Sequence, residues 1–201
     1  MSAYMRHKFP FLGIPMPERK KLSREFLKTV YKKTVDWTFV FKCWQLPERE
    51  YQYLAVDYLT KVKPVLTLAD IPEFQSLITT KSWWDTVDAL VTIVGDIALR
   101  YPQVDDILIL WSTDDNIWLR RSAIDHQLTR KEKTNTALLE LIILNNLGQE
   151  EFFINKAIGW SLREFSKTNP DWVRGFIEKH KSKMSPLSVR EGSKYLTSSP
   201  P

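Results

Sequence analysis

The chain has 201 residues, of which 43% are hydrophobic and 26% charged, enough apolar surface to build a packed core and too much for wholesale disorder. Its 6 glycines, 11 scattered prolines and single cysteine exclude collagen-like, mucin-like and disulfide-stapled classes, and argue against a sandwich that needs many turn glycines. A net charge of +5 permits a polyanionic partner without demanding one, and no long apolar run or leader-like stretch follows Met1, so a soluble, cytoplasmic protein with no membrane partner is expected.

The apolar periodicity is helical nearly throughout, with capping and breaker residues as punctuation. Pro17-Glu18-Arg19 opens a basic amphipathic helix running to about Lys33, and Asp36 can cap the next, through Trp44. Pro47-Glu48 starts a third, with Leu54, Ala55, Tyr58 and Leu59 on its apolar side, ending before Pro64. Ser82 is placed to cap a long apolar helix that reaches Arg100, and Pro102 starts the following one. Asp114, Asp115 and Asn116 supply caps for 117–128, Thr134 leads into 137–146, Gly148 breaks that helix and Glu150 begins another to about Thr168. Pro170 takes a first helical position before 171–181, and Pro186 opens a last short helix. No alternating strand pair is visible, so 1–196 is expected to form one domain and 197–201 a disordered tail. Cys43, between Phe41 and Trp44, reads as a buried inert thiol. His7, His126 and His180 lack the spacing of metal ligands, so neither a metal nor a cofactor is expected.

A fixed period underlies these helices. Ala55, Ala89, Ala123 and Ala157 recur every 34 residues, each followed by an aliphatic residue (Val56, Leu90, Ile124, Ile158). Five residues before them stand Glu50, Trp84, Trp118 and Phe152, three aromatics and one carboxylate. The chain holds only 8 alanines, so four in register mark a repeat; a small residue at one helix position lets neighbouring helices approach closely. The tetratricopeptide signature is missing, and a divergent HEAT-like array fits better than an irregular bundle. The expected fold is therefore all-α: a right-handed HEAT-like helical-repeat solenoid of about ten or eleven helices with a concave groove.

Placing the repeats on a helical wheel at roughly 100° per residue puts Trp84, Asp88, Arg121, Trp160 and Arg163 on one arc of roughly 140°. Such an arc sets a carboxylate between indoles with guanidinium groups nearby: indole faces and carboxylate suit a cation, the arginines a phosphate. A nucleic acid carrying a positively charged base or sugar satisfies both. Taken singly, Trp83 and Trp84 read as core aromatics, Asp85 and Asp88 as helix N-terminal charges, and Arg120, Arg121 and Arg163 as partners of surface carboxylates. The basic runs at 20–21, 32–33, 130–131 and 179–183 read as solvated residues able to touch phosphate.

Five segments carry a resemblance: Tyr4-Met-Arg with Phe9-Pro-Phe-Leu-Gly-Ile and Pro17-Glu-Arg; Leu46-Pro-Glu-Arg-Glu-Tyr-Gln; Thr80-Lys-Ser-Trp-Trp-Asp-Thr-Val-Asp88; Asp115-Asn-Ile-Trp-Leu-Arg-Arg-Ser-Ala-Ile124; and Phe152-Phe-Ile-Asn-Lys-Ala-Ile-Gly-Trp-Ser-Leu-Arg-Glu164. Through them the chain resembles the AlkD-type DNA alkylation repair proteins, HEAT-like repeat DNA glycosylases. The resemblance implies a metal-free, monofunctional hydrolase that excises cationic alkylpurines such as 3-methyladenine and 7-methylguanine from double-stranded DNA. It implies Asp88 as catalytic carboxylate, with Trp84 and Trp160 as aromatic walls, and Arg121, Arg163 and Tyr4 as DNA contacts. A monomer associated with the nucleoid is expected. Relatives carry a further helical stretch before the Tyr-Met-Arg block, where this sequence has only Met1-Ser2-Ala3, and Pro15 stands where a polar side chain could face DNA. Part of the DNA grip is thus expected to be missing, with weak or lost activity. The alternatives are a non-catalytic DNA-structure-binding protein and a protein scaffold.

Overall fold

Side-chain caps open six of the helices, two of them, at Asp36 and Asn116, where the sequence places one. In the computed structural model, which describes residues 2–30 and 33–196, side chains of Asp36, Asn116, Asn135, Glu151, Asn169 and Ser185 each accept a hydrogen bond from a first-turn amide. The expected tail at 197–201 lies outside the described residues. Among those residues there are eleven α-helices and no strand: α1 (Met16–Thr29), α2 (Trp37–Gln45), α3 (Arg49–Val62), α4 (Ile71–Thr79), α5 (Trp84–Arg100), α6 (Val104–Trp111), α7 (Ile117–Asp125), α8 (Thr136–Leu144), α9 (Phe152–Ser166), α10 (Pro170–His180) and α11 (Pro186–Gly192). The protein is all-α, as the periodicity predicts.

Three local expectations shift. Ser82 does not act as a cap; its hydroxyl donates to the carbonyl of Ile78 at 2.7 Å, finishing α4 instead of starting α5. The helix α4 itself is absent from the sequence reading, although Pro72 in its first turn marks it. And α1 ends at Thr29, short of Lys33.

The chain forms two compact units, the first ending at Ile93 and the second beginning at Val94. In the first, α2 and α1 pack on α3, and Val40, Trp44, Ala55, Leu59, Phe74, Ile78, Val87 and Leu90 fill the core. Gln52 closes the end of α2 by donating to the carbonyls of Cys43, Trp44 and Leu46 at 3.0, 3.3 and 2.8 Å. Burial pushes the Cys43 thiol above its ordinary pKa, which keeps it protonated and inert, as expected.

In the second unit, α9 packs on both α7 and α11, and α6 lies on α7 and α8. Leu108, Leu119, Ile124, Leu139, Ile158, Leu162 and Val173 are buried between them. Gly159 permits the close seating of α11 on α9, since a Cβ there would stand 2.6 Å from the Cβ of Glu191 and 3.3 Å from the Ser188 backbone.

The 34-residue period is a structural repeat. Ala55 and Ala123 are the seventh residues of α3 and α7, and Ala89 and Ala157 the sixth of α5 and α9. Three of the four have no exposed surface. Side-chain bonds run from one repeat to the next within each unit: Trp44 Nε1 to the Thr80 carbonyl (3.0 Å) in the first, Asn146 Nδ2 to the Ser112 carbonyl (3.0 Å) and Ser188 Oγ to the Asn155 carbonyl (2.8 Å) in the second.

Candidate functional site

Within the first unit, three of the sequence blocks interlock around the start of α5. Trp84 is its first residue and Asp88 follows one turn later, both half-buried. Between them, Asp85 turns inward to Arg49, whose Nη2 reaches Oδ1 at 2.6 Å and whose Nε reaches Oδ2 at 3.0 Å. Arg49 also donates to the Lys81 carbonyl at 2.9 Å and the Thr86 hydroxyl at 2.8 Å, and lies 3.9 Å over the Phe9 ring. Its side chain has no exposed surface, and that of Asp85 has 6%. A bidentate pair of this kind orients as well as binds. Here it holds the start of α5, from which Trp84 and Asp88 also project.

Tyr53 completes the network by donating its hydroxyl to Asp85 Oδ2 at 2.7 Å; burial and the carboxylate push the phenol well above its ordinary pKa. The Lys81 ammonium is shifted downward, by burial first and then by Arg49.

Glu50 anchors the segment before α1. Its carboxylate accepts the backbone N–H groups of Leu12 (3.0 Å), Gly13 (2.9 Å) and Ile14 (3.2 Å), and the Arg49 amide donates to the Pro10 carbonyl at 3.0 Å. Gly13 has a φ of 85°, a conformation that costs glycine nothing and lets three successive amides point at one carboxylate. The strap so fixed carries Tyr4, 72% exposed, against Trp84, with ring centroids 5.7 Å apart and planes at 87°. Lys8 lies 4.7 Å over the Trp83 ring.

In the second unit, Arg121 on α7 is buried. Its Nη1 donates to the Phe153 carbonyl at 2.8 Å, its Nη2 is 3.7 Å from Asp125, and its guanidinium is 5.9 Å from the Trp160 ring. The structure makes Arg121 a support beneath half-buried Trp160. Arg163, a turn further along α9, is held by Glu191 at 2.6 Å, and Lys156 shares that carboxylate at 3.0 Å. These partners, the Lys156 hydrogen bond first, hold the Glu191 carboxyl below its ordinary pKa.

So Tyr4, Trp84 and Asp88 gather on one unit, and Arg121, Trp160 and Arg163 on the other. Both arginines named as DNA contacts have protein partners. The sequence reading missed Arg49, Glu50 and Tyr53. A signal was present for Glu50, the one carboxylate at a repeat position that is otherwise aromatic. Among the described residues no group of three or more His, Cys, Asp or Glu is arranged to hold a metal ion, and no helix is long and apolar enough to cross a membrane.

A model of the family described as DNA alkylation repair enzyme matches residues 1–196. A solved structure described as a predicted DNA alkylation repair enzyme from Enterococcus faecalis is 41% identical, covering 99% of this chain and 94% of its own, with a TM-score of 0.91. The crystal structure of smu.31 from Streptococcus mutans UA159 shares the fold at 17% identity, with a TM-score of 0.69 over 88% of this chain and 92% of its own. Among curated proteins none matches.

Proposed function

Because the chain belongs to the DNA alkylation repair enzyme family, we propose that it is a monofunctional DNA glycosylase acting on cationic alkylpurines, with Asp88 as its catalytic carboxylate. The supporting observation is the bracing of Trp84 and Asp88: two half-exposed side chains on successive turns, held by an Arg49–Asp85 pair that is itself shielded from water.

An alkylated purine carries a positive charge, so the bond from C1′ to the base nitrogen breaks with the electron pair leaving on a neutral base. Positive charge then develops on the deoxyribose. A carboxylate fixed beside the sugar stabilises that charge, and it accepts a proton from the water that adds to C1′, leaving an abasic sugar and, after release to solvent, a free proton. Trp84, half-exposed and in perpendicular contact with Tyr4, is the aromatic wall for the cationic nucleotide. Trp160, with the Arg121 guanidinium 5.9 Å from its ring, is the second aromatic wall that the family resemblance implies. Lysine at the position of Asp88 would favour a Schiff-base lyase; aspartate favours simple hydrolysis.

The test is single-turnover base release from methylated duplex DNA at enzyme excess, with wild type and Asp88→Asn in parallel. Wild type is expected to release base slowly, faster at low salt, and the variant to lose roughly 100-fold or more, the scale of removing a preorganised charge stabiliser. Equal rates would remove Asp88 from the mechanism. The engagement of Arg121 and Arg163 by Phe153 and Glu191 counts against both as DNA contacts and leaves catalysis untouched, so the same assay also addresses the second reading, a non-catalytic DNA-structure-binding protein. That reading predicts duplex binding without base release from either form.

A further inference from the structure

Between α1 and α3, in the first unit, runs a trough of about 430 Å³ that the glycosylase reading leaves unused. Lys20, Arg24 and Lys28 project into it from successive turns of α1, facing Asp57 and Lys61 of α3, with buried Leu27 beneath. We infer that this trough binds the phosphate backbone of a nucleic-acid strand, an inference that rests on the DNA reading of the protein and adds a second contact to it.

The charge count carries the argument. Asp57 is neutralised by Arg19, 3.2 Å away. Lys28 is shared with Glu25 at 2.9 Å, but both side chains are more than half exposed, so the pair is weak and yields to a multivalent anion. Lys20, Arg24 and Lys61 are exposed and, among the described residues, have no carboxylate partner. The trough therefore holds a surplus of cations in a concave site, where the field is focused.

Spacing and lining choose the ligand. Three cations four residues apart extend over about 12 Å, a length on which one nucleic-acid strand presents roughly three or four phosphates. Arg24, at the middle, supplies the fork that fits phosphate oxygens. No aromatic ring lines the trough, so bases have nothing to stack on and the contact reads backbone without sequence.

A chain of contacts ties the trough to α5 within the same unit. Arg19, the partner of Asp57, lies 4.8 Å over the Tyr53 ring, and the Tyr53 hydroxyl is bonded to Asp85. A strand seated in the trough is thus set at a fixed offset from Trp84 and Asp88.

The experiment compares wild type with the triple variant K20A/R24A/K61A, whose substituted side chains are solvent-exposed and leave the core intact. Amide shifts of isotope-labelled protein are followed during titration with pyrophosphate, with a short undamaged DNA duplex and with poly-glutamate, and duplex affinity is measured against salt. Pyrophosphate is expected to shift amides around 20–28 and 57–61 in wild type alone. The slope of log affinity against log salt should fall by about two to three in the variant, as three phosphate contacts are lost. Duplex binding with an unchanged slope would overturn the trough and leave the glycosylase reading standing. Pyrophosphate seated in the trough of a protein that binds no duplex would overturn both. Poly-glutamate shifting the same amides at lower concentration than DNA would overturn it in favour of an acidic protein partner.

Discussion

Replacing Arg49 by methionine tests the bracing of α5. The side chain has no exposed surface and spends its donors on Asp85, Lys81 and Thr86. Methionine occupies much of the volume but leaves the Asp85 carboxylate, 6% exposed, with only the Tyr53 hydroxyl for company. Stranding one partner of a buried ion pair costs about 3–5 kcal/mol, several times the cost of a surface pair. For a chain of this length that lowers the melting temperature by roughly 6–20 °C. The double variant R49M/D85N removes the stranded charge and should recover about 1–3 kcal/mol of the loss, the coupling expected of residues in one network. Urea denaturation of wild type, R49M, D85N and R49M/D85N closes the cycle, and base release from the folded variants reads the consequence for Asp88. A loss below about 1 kcal/mol in R49M, or no recovery in R49M/D85N, would refute the claim that this pair holds the start of α5.

Three further outcomes follow from other contacts. Glu50→Gln keeps one acceptor for three amides and removes the charge, so stability should drop by roughly 1.5–3 kcal/mol, and limited proteolysis should cut the strap before Ile14 while α3 stays protected. His126 is buried, its Nδ1 set 2.7 Å from the Ala123 carbonyl; burial first, then the Arg130 charge, pushes its pKa down to about 3 from an ordinary 6.5. Between those values the unfolded chain binds a proton that the folded chain refuses, so stability rises with pH across the window and is lost as pH falls through it. In His126→Gln, denaturation midpoints should vary less steeply between pH 6.5 and 4 than in wild type. Gly159→Ala forces a methyl against Glu191 and the Ser188 backbone and should cost about 1–3 kcal/mol in thermal unfolding, by lifting α11 from α9.

Local chemistry was enough to read ten of the eleven described helices from sequence, α4 being the one missed. A cap such as Asp36 or Asn116 satisfies amides only a few residues away, and a proline such as Pro170 or Pro186 acts on its own turn, so each leaves its mark beside the feature it causes. The alanine period was legible for a related reason: helix–helix contact demands a small residue at a repeated position, and repetition shows in one dimension. The same wheel that grouped Trp84, Asp88 and Arg121 could not say that Arg121 would be buried against the Phe153 carbonyl, because burial depends on what the next helix places there. Nor could it show that Asp85 would face Arg49, 36 residues away, while Asp88 stays half-exposed. The two carboxylates differ by three positions on one helix, about 300° of rotation, and have the same intrinsic chemistry. Only the packing of α3 beside α5 shuts Asp85 away from water against a buried guanidinium while Asp88 keeps part of its surface exposed, and the free energy of a charge is set by its surroundings rather than by its residue type.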